Sequence, residues 1–219
     1  RHVMRDDDNN PLQILLVDDH AVVRGGLRLL LAQTGDMEVA GEAENAEQAI
    51  QLVRQGEFDV ALVDIGLPGK GGLDLLKQLK AQRPHLAVLM LSMYAEEVYA
   101  VRALKAGASG YLTKNSPPAT LLAAIRKVAG GGKHVSPALL ERLAVEVGRG
   151  RKSASEALSD REIEVLRRIA SGESLNQIAE ALYLSPKTVT TYRARIVEKT
   201  GLPSNAELTR YALEKGMLS

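Results

Sequence analysis

The chain has 219 residues, 45% of them apolar and 25% charged, which suits two modest globular domains better than one small core and lies far from disordered or collagen-like compositions. It contains no cysteine, so disulfides, thiolate metal sites and cysteine nucleophiles are excluded, in keeping with a reducing cytoplasm. A net charge of +1 conceals a split: residues 1–132 carry −2 and residues 133–219 carry +3, so the C-terminal part is the one that permits a nucleic-acid partner.

The opening "RHVMRDDDNN" reads as a cloning remnant joined to a polar lead-in that runs to about residue 12. No apolar run approaches the ~18 residues of a bilayer span, and the N-terminal segment has no apolar stretch of signal-peptide type. A cytoplasmic protein with no membrane partner is expected. The four histidines, His2, His20, His85 and His134, are too scattered for metal-ligand spacing.

From residue 13 to about 130, five short apolar runs, "ILLV", "EVAG", "VALVD", "AVLML" and "GYLT", alternate with stretches of helical period. Continuous apolar runs mark strands buried on both faces, so the reading is a doubly wound α/β domain with a five-stranded parallel sheet. Its first helix starts near Ala21 and turns Val22, Val23, Leu27, Leu30 and Leu31 towards the sheet, with Gly35 and Asp36 as the stop. Other helices are expected at about 45–55, 72–82, 96–106 and 118–129. Residues 131–156, from "GGKHVSP" through "RGRKSASEA", read as a linker with room for one helix. Beyond it no strand signal survives. Ser159 with Glu162 and Ser204 with Glu207 form capping boxes, and Ser185-Pro186 supplies an N-cap with proline at the first helical position. Four short helices follow, at about 160–171, 175–182, 186–199 and 205–215, making residues 157–219 an all-α second domain.

In an open parallel sheet, ligands bind along the edge where the carboxyl ends of the strands lie. Asp18 and Asp19 end the first strand, Asp64 the third, Ser92 the fourth and Lys114 the fifth. Taken singly, such an aspartate is a turn or helix cap, Ser92 a loop hydroxyl and Lys114 a solvated surface group. Taken together, three converging carboxylates call for a cation, and hard oxygen donors favour Mg²⁺. Lys114 and Ser92 are then placed to neutralise and hydrogen-bond a phosphoryl group on Asp64, a carboxylate nucleophile of the kind that forms aspartyl phosphates.

On these residues, "VDDH", "VDIGLPGKGG", "LS" and "GYLTK", the stretch from 13 to 130 resembles a bacterial response-regulator receiver domain of flavodoxin-like, CheY-like fold. The resemblance implies Asp64 as phosphoacceptor. It implies Asp19 as the main direct Mg²⁺ ligand, Asp18 acting through water, and Asp64 with the Gly66 carbonyl completing the protein ligands. Tyr111 falls at the family's switch aromatic, which turns inward as Ser92 is drawn to the phosphate; without the resemblance it reads as an edge-strand residue. Gly66 stands where many receivers carry a larger residue, and Asn115 follows the lysine where many carry proline.

The second module contains "SLNQIAEALYLSPKTVTTYRARIVEKTGL", which reads as helix, tight turn, helix. Ile178, Ala179 and Leu182 line one inner face, and Val189, Tyr192 and Ile196 the other. The wheel of the second helix turns Lys187, Thr190, Thr191, Ala194 and Glu198 outward, flanked by Arg193, Arg195 and Lys199. Periodicity alone equally fits plain packing. As a DNA reader, the cations take phosphates while Thr190 and Thr191 reach base edges or thymine methyls. The pattern from "LSDREIEVL" to "KTGL" is similar to the four-helix LuxR-type helix-turn-helix, and the whole chain resembles the NarL/FixJ family, with "SPKTVTTYRARI" similar to its GacA/UvrY-like members. The resemblance implies DNA contacts from Lys187, Thr188, Thr190, Thr191, Arg193, Ala194, Arg195 and Lys199. Relatives often place lysine at the position of Thr190 and another near Ala194, so the resemblance does not fix the direct base contacts or the operator sequence.

The function expected is a transcription factor controlled by phosphorylation. A sensor histidine kinase loads Asp64, the last two βα units change, and a homodimer forms on paired half-sites of double-stranded promoter DNA through the last helix, with RNA polymerase a further candidate partner. Two alternatives stand beside it. One is a receiver whose output is protein or RNA interaction. The other is a Mg²⁺-dependent phosphatase with an aspartyl-phosphate intermediate; enzymes of the haloacid-dehalogenase type carry a second Asp two residues after the nucleophile, where this chain has Gly66.

Overall fold

The structure is a computed structural model that describes residues 10–93, 96–149 and 157–218. The expected lead-in therefore lies mostly outside the described residues, as do residues 150–156 of the expected linker. The N-terminal elements run β1 (Leu12–Val17), α1 (Ala21–Ala32), β2 (Met37–Ala43), α2 (Ala46–Gln55), β3 (Val60–Asp64), α3 (Gly71–Gln82), β4 (Ala87–Ser92), α4 (Glu96–Lys105), β5 (Gly110–Thr113) and α5 (Pro118–Ala129).

All pairings are parallel, in the order β2-β1-β3-β4-β5. Alternate residues of each central strand feed two separate cores. Leu15, Val17, Ala61, Val63, Val88 and Met90 pack with Val53 of α2, Leu75, Leu76 and Leu79 of α3 and Ala100 and Ala103 of α4. On the other face, Ile14, Leu16, Val60, Leu62, Leu89 and Leu91 pack with Leu31 of α1 and Leu121, Ile125 and Val128 of α5. Apolar residues on both faces are the reason the strands read as continuous runs instead of alternating ones. The chain reverses its winding between β1 and β3, and the crevice at the carboxyl ends of these strands is where such folds bind ligands.

One residue of α1 expected to face the sheet faces solvent instead. Val22 is 88% exposed, whereas Val23, Leu27 and Leu30 are half-buried and Leu31 is buried. Adjacent helical residues stand about 100° apart, so Val22 falls on the line of Leu29, which is also exposed, and away from the stripe that meets the sheet.

The stretch read as a linker touches the sheet at His134 and packs on α4 through one helix. His134 bridges to Gly110, its N–H donates to the Ser109 carbonyl at 2.9 Å, and its carbonyl accepts the Tyr111 N–H at 3.3 Å. The outer edge of β5 is thereby paired, which shields it from other chains. A sixth helix, α6 (Pro137–Arg149), then packs on α4 with Leu139 buried.

The C-terminal module holds α7 (Asp160–Ala170), α8 (Leu175–Leu182), α9 (Pro186–Thr200) and α10 (Asn205–Glu214). Ser159–Glu162 and Ser204–Glu207 are reciprocal capping boxes, and Ser185 caps α9 ahead of Pro186. A third box, Ser174–Gln177, opens α8. Ile163, Leu166, Ile178, Leu182, Val189, Ile196 and Leu208 form the core of this module. Among the described residues, no helix is long and apolar enough to cross a membrane.

Candidate functional site

The expected edge cluster assembles. Asp18 follows β1 and Asp64 ends β3; both are buried. Asp64 pairs in register with Leu91, one residue before Ser92, and Ser92 pairs with Thr113, one residue before Lys114. The Ser92 carbonyl accepts the Lys114 N–H at 2.7 Å, so the hydroxyl-bearing and ammonium-bearing residues are locked to each other through backbone. The Lys114 ammonium donates to Asp18 Oδ2 at 2.6 Å and lies 3.2 Å from Asp64 Oδ2. Ser92 and Tyr111 are both buried, the latter turned into the core at 1% exposure.

Burial pushes the Asp64 carboxyl above the ordinary carboxylate range; Lys114 opposes that rise and the Asp18 charge adds to it. Lys114 is pulled down by its own burial, but Asp64 and Asp18 outweigh this and hold it above the usual ammonium value. The cluster is one coupled unit in which two buried carboxylates share one ammonium.

Asp19 and Gly66 complete the expected set. Asp19 is exposed at the rim. The Gly66 N–H donates to Asp64 Oδ1 at 3.1 Å, and a Cβ added at Gly66 would lie 3.6 Å from that oxygen, in ordinary contact and without a clash. Gly72, by contrast, lets the first turn of α3 close onto β3: a Cβ there would stand 2.3 Å from the Asp64 carbonyl oxygen.

Two residues outside the expected set, His20 and Arg24, belong here. The His20 imidazole Nδ1 lies 3.0 Å from Asp18 Oδ1 and 3.1 Å from Asp19 Oδ1, and the His20 N–H donates to Asp18 Oδ1 at 2.8 Å. The histidines do not gather into a site of their own; His20 stands here because it directly follows the acidic pair in the chain. Arg24 donates to the Asp18 carbonyl at 2.6 Å and pairs with Glu44 at 3.1 Å, anchoring the turn that presents the pair. Asp18, Asp19, His20 and Asp64 each offer a ligand atom, all within 4.8 Å of one another.

In the second module, Lys187, Thr190, Thr191, Ala194, Arg195, Glu198 and Lys199 are exposed on α9, while Val189 and Ile196 are buried beneath them. Several of the expected contact residues also have partners inside the module. Lys199 donates to both oxygens of the buried Glu162, at 2.8 and 3.0 Å, and Arg193 binds Asn205 Oδ1 at 2.8 Å and the Pro203 carbonyl at 3.1 Å. Arg195 sits 5.7 Å over the Tyr192 ring. Thr188 Oγ1 lies 2.8 Å from the capping hydroxyl of Ser185. Thr190 and Thr191 donate their hydroxyls back to the carbonyls of Pro186 and Lys187, both at 3.1 Å.

Comparison with known proteins agrees with both halves. The response regulator receiver domain matches residues 14–126, and the bacterial regulatory proteins of the luxR family match residues 156–212. The response regulator GacA of Pseudomonas aeruginosa is 36% identical over 209 residues, covering 94% of this chain and 98% of GacA. UvrY of Escherichia coli K12 is 34% identical over 208 residues, covering 94% and 95%. Among solved structures, RcsB from Salmonella enterica serovar Typhimurium, bound to promoter rprA in the presence of the phosphomimetic BeF3−, aligns with a TM-score of 0.66 at 26% identity, covering 92% of this chain and 98% of that one. The response regulator ChrA of a heme-sensing two-component system aligns with a TM-score of 0.52 at 32% identity, covering 95% and 100%.

Proposed function

Because the chain belongs to the NarL/FixJ family of two-component response regulators, with a receiver domain and a LuxR-type helix-turn-helix, we propose that it is a DNA-binding transcription regulator switched by phosphorylation of Asp64. The carrying observation is the buried Asp64 carboxylate, held between Lys114 and the acidic pair, with a residue lacking a side chain, Gly66, beside its oxygens.

An Asp64 oxygen attacks the phosphorus of a phosphohistidine on the sensor kinase; the P–N bond breaks, the imidazole leaves with its electron pair, and an acyl phosphate forms. Lys114 offers its ammonium to the new phosphoryl oxygens, and Ser92 its hydroxyl. Hydrolysis of the acyl phosphate returns the carboxylate and inorganic phosphate.

The donor set also fits a magnesium ion. Three carboxylates, two of them paired with Lys114, gather ligand atoms within 4.8 Å of one another, a hard-oxygen set of the kind magnesium takes. Asp19, Asp64 and the Gly66 carbonyl would hold the ion directly and Asp18 through water; when bound, it would offset charge on the phosphoryl oxygens. At the other end, α9 offers an exposed face of small polar residues and cations suited to the major groove of promoter DNA, and RcsB, a structural neighbour, is described as bound to promoter DNA. Pairing of two chains on adjacent half-sites would provide the affinity that the few base contacts of one module do not supply.

Incubation with acetyl phosphate and Mg²⁺ tests the reading. The parent chain should take up one phosphoryl group and shift target DNA at lower protein concentration, and Asp64→Asn should do neither. Equal labelling of both chains would end it.

A further inference from the structure

We propose that Asp160-Arg161, at the first turn of α7, is a two-armed clasp fastening the helix-turn-helix to the β3–α3 loop, so that a change at Asp64 reaches the DNA-reading helices through Gly69. The coupling rests on the reading of Asp64 given above; the clasp itself rests on geometry alone.

The first arm is Asp160. Its two carboxylate oxygens take cations from two different helices of the receiver: Oδ2 accepts Lys77 of α3 and Oδ1 accepts Arg102 of α4, each at 2.6 Å. Arg102 also donates to the Leu158 carbonyl just ahead of α7. These cations, against the carboxyl's partial burial, hold Asp160 below the ordinary carboxylate value.

The second arm is Arg161. Its planar guanidinium donates to two carbonyls at once, that of Gly69 in the receiver and that of Leu182 at the end of α8, the latter at 2.9 Å. Beside it the Gly69 N–H donates to the Ala181 carbonyl at 3.0 Å. The last carbonyls of a helix have no partners within it, and here two of those of α8 are satisfied by Arg161 and by the receiver loop. The next residue, Tyr183, enters the turn to α9 in the left-handed region at φ 56°, with its ring against Gly69, where a Cβ would stand 2.9 Å away. Gly69 itself has φ +74°, so the apex of the loop is both shaped and cleared for this contact.

The loop is short and held at its base. The Gly66 N–H is on Asp64 Oδ1 at 3.1 Å and the Gly72 N–H on the Ile65 carbonyl at 3.1 Å, with Gly69 between them. A phosphoryl group on Asp64 changes the acceptor that Gly66 faces, and the displacement runs to Gly69 and the end of α8. The contact does not cover the reading face, because Lys187, Thr190, Thr191 and Ala194 stay exposed. It fixes the orientation of the module instead of occluding it.

The chain has no cysteine, so Glu47→Cys on α2 and Glu214→Cys on α10 provide one spin-label pair on the full-length protein. The parent should give one narrow distance distribution. Asp160→Lys should broaden it severalfold, and adding Lys77→Glu with Arg102→Glu should narrow it again. A distribution unchanged by Asp160→Lys, in a chain with parental circular dichroism, would overturn the clasp. Beryllium fluoride with Mg²⁺ should broaden the parent distribution, and Arg161→Ala, which removes both donors to the Gly69 and Leu182 carbonyls, should blunt this response. If acetyl phosphate labels Asp64 but beryllium fluoride leaves the distance unmoved, the coupling is wrong and the phosphoacceptor stands. If Asp64 takes no label, the phosphoacceptor reading fails, and the charge-reversal series alone decides the clasp.

Discussion

The ammonium of Lys114 lies 2.6 Å from Asp18 and 3.2 Å from Asp64, bridging two buried carboxylates that belong to different strands of the sheet. On the proposed reading a phosphoryl group on Asp64 would give this ammonium a third partner, and a shift of Lys114 would be passed to Ser92 through their backbone hydrogen bond. Lys114→Ala should therefore leave phosphoryl uptake measurable while weakening its effect on DNA affinity. A hydrogen bond to a charged group contributes about 1.5–3 kcal/mol, so the gain in affinity on phosphorylation should fall about tenfold or more. The check is paired titration of target DNA with phosphorylated and unphosphorylated chains; an undiminished gain would count against the relay.

Gly66 puts no side chain beside the Asp64 carboxylate, and a Cβ there would meet the oxygens at ordinary contact distance. Water reaches an acyl phosphate from an uncovered side. Gly66→Met should lengthen the phosphorylated half-life severalfold, read as decay of label after the phosphoryl donor is removed. Parental decay in this variant would show that water enters from elsewhere.

The sheet and the cluster of polar residues at its edge were legible in the sequence because both depend on strand position: apolar runs such as "VALVD" are buried on both faces, and the residue ending each run is carried to one edge. What was not legible depends on contacts between segments distant in sequence. His20 joins the acidic pair through the turn that begins α1, a geometry that spacing among histidines does not report. Val22 was turned inward by counting an amphipathic stripe one residue too wide. Docking of residues 133–149 on β5 and α4 follows from the exposed edge of β5, which the sequence leaves to be covered by whatever segment is near. The left-handed backbone of Tyr183 has no sequence signal, because glycine or asparagine is the residue that ordinarily marks such a position.

Glu162 makes the C-terminal module acid-sensitive. Burial alone would raise its carboxyl, but Lys199 and the Ser159 N–H outweigh that and hold it below the ordinary value. A carboxyl depressed on folding stabilises fully above its unfolded pKa, and that contribution is lost as pH falls through the folded value. The stability of this module should drop between about pH 5 and pH 3, and Glu162→Gln should flatten the drop. Glu162→Ala, which also opens the capping box, should cost about 1–2 kcal/mol at neutral pH. Urea titrations across that pH range decide it; parallel profiles for the parent and Glu162→Gln would remove the assignment.

The threonines of α9 make a narrower prediction about how DNA is read. Both hydroxyl protons point back to helix carbonyls, so Thr190 and Thr191 present a methyl group and an acceptor oxygen outward. They are suited to thymine methyls and to the amino groups of adenine or cytosine, and unsuited to guanine acceptors. Thr190→Val and Thr191→Val keep the methyl and remove the acceptor, so each should relax discrimination at one base pair by about 1–3 kcal/mol while leaving non-specific affinity near the parent's. Lys187→Ala should act in the opposite sense, weakening all sequences alike and lowering the salt slope by about one. Binding measured over a set of single-base operator variants at several salt concentrations separates these outcomes. A Thr→Val change that weakened every sequence equally would mean that these side chains support the helix and do not read bases.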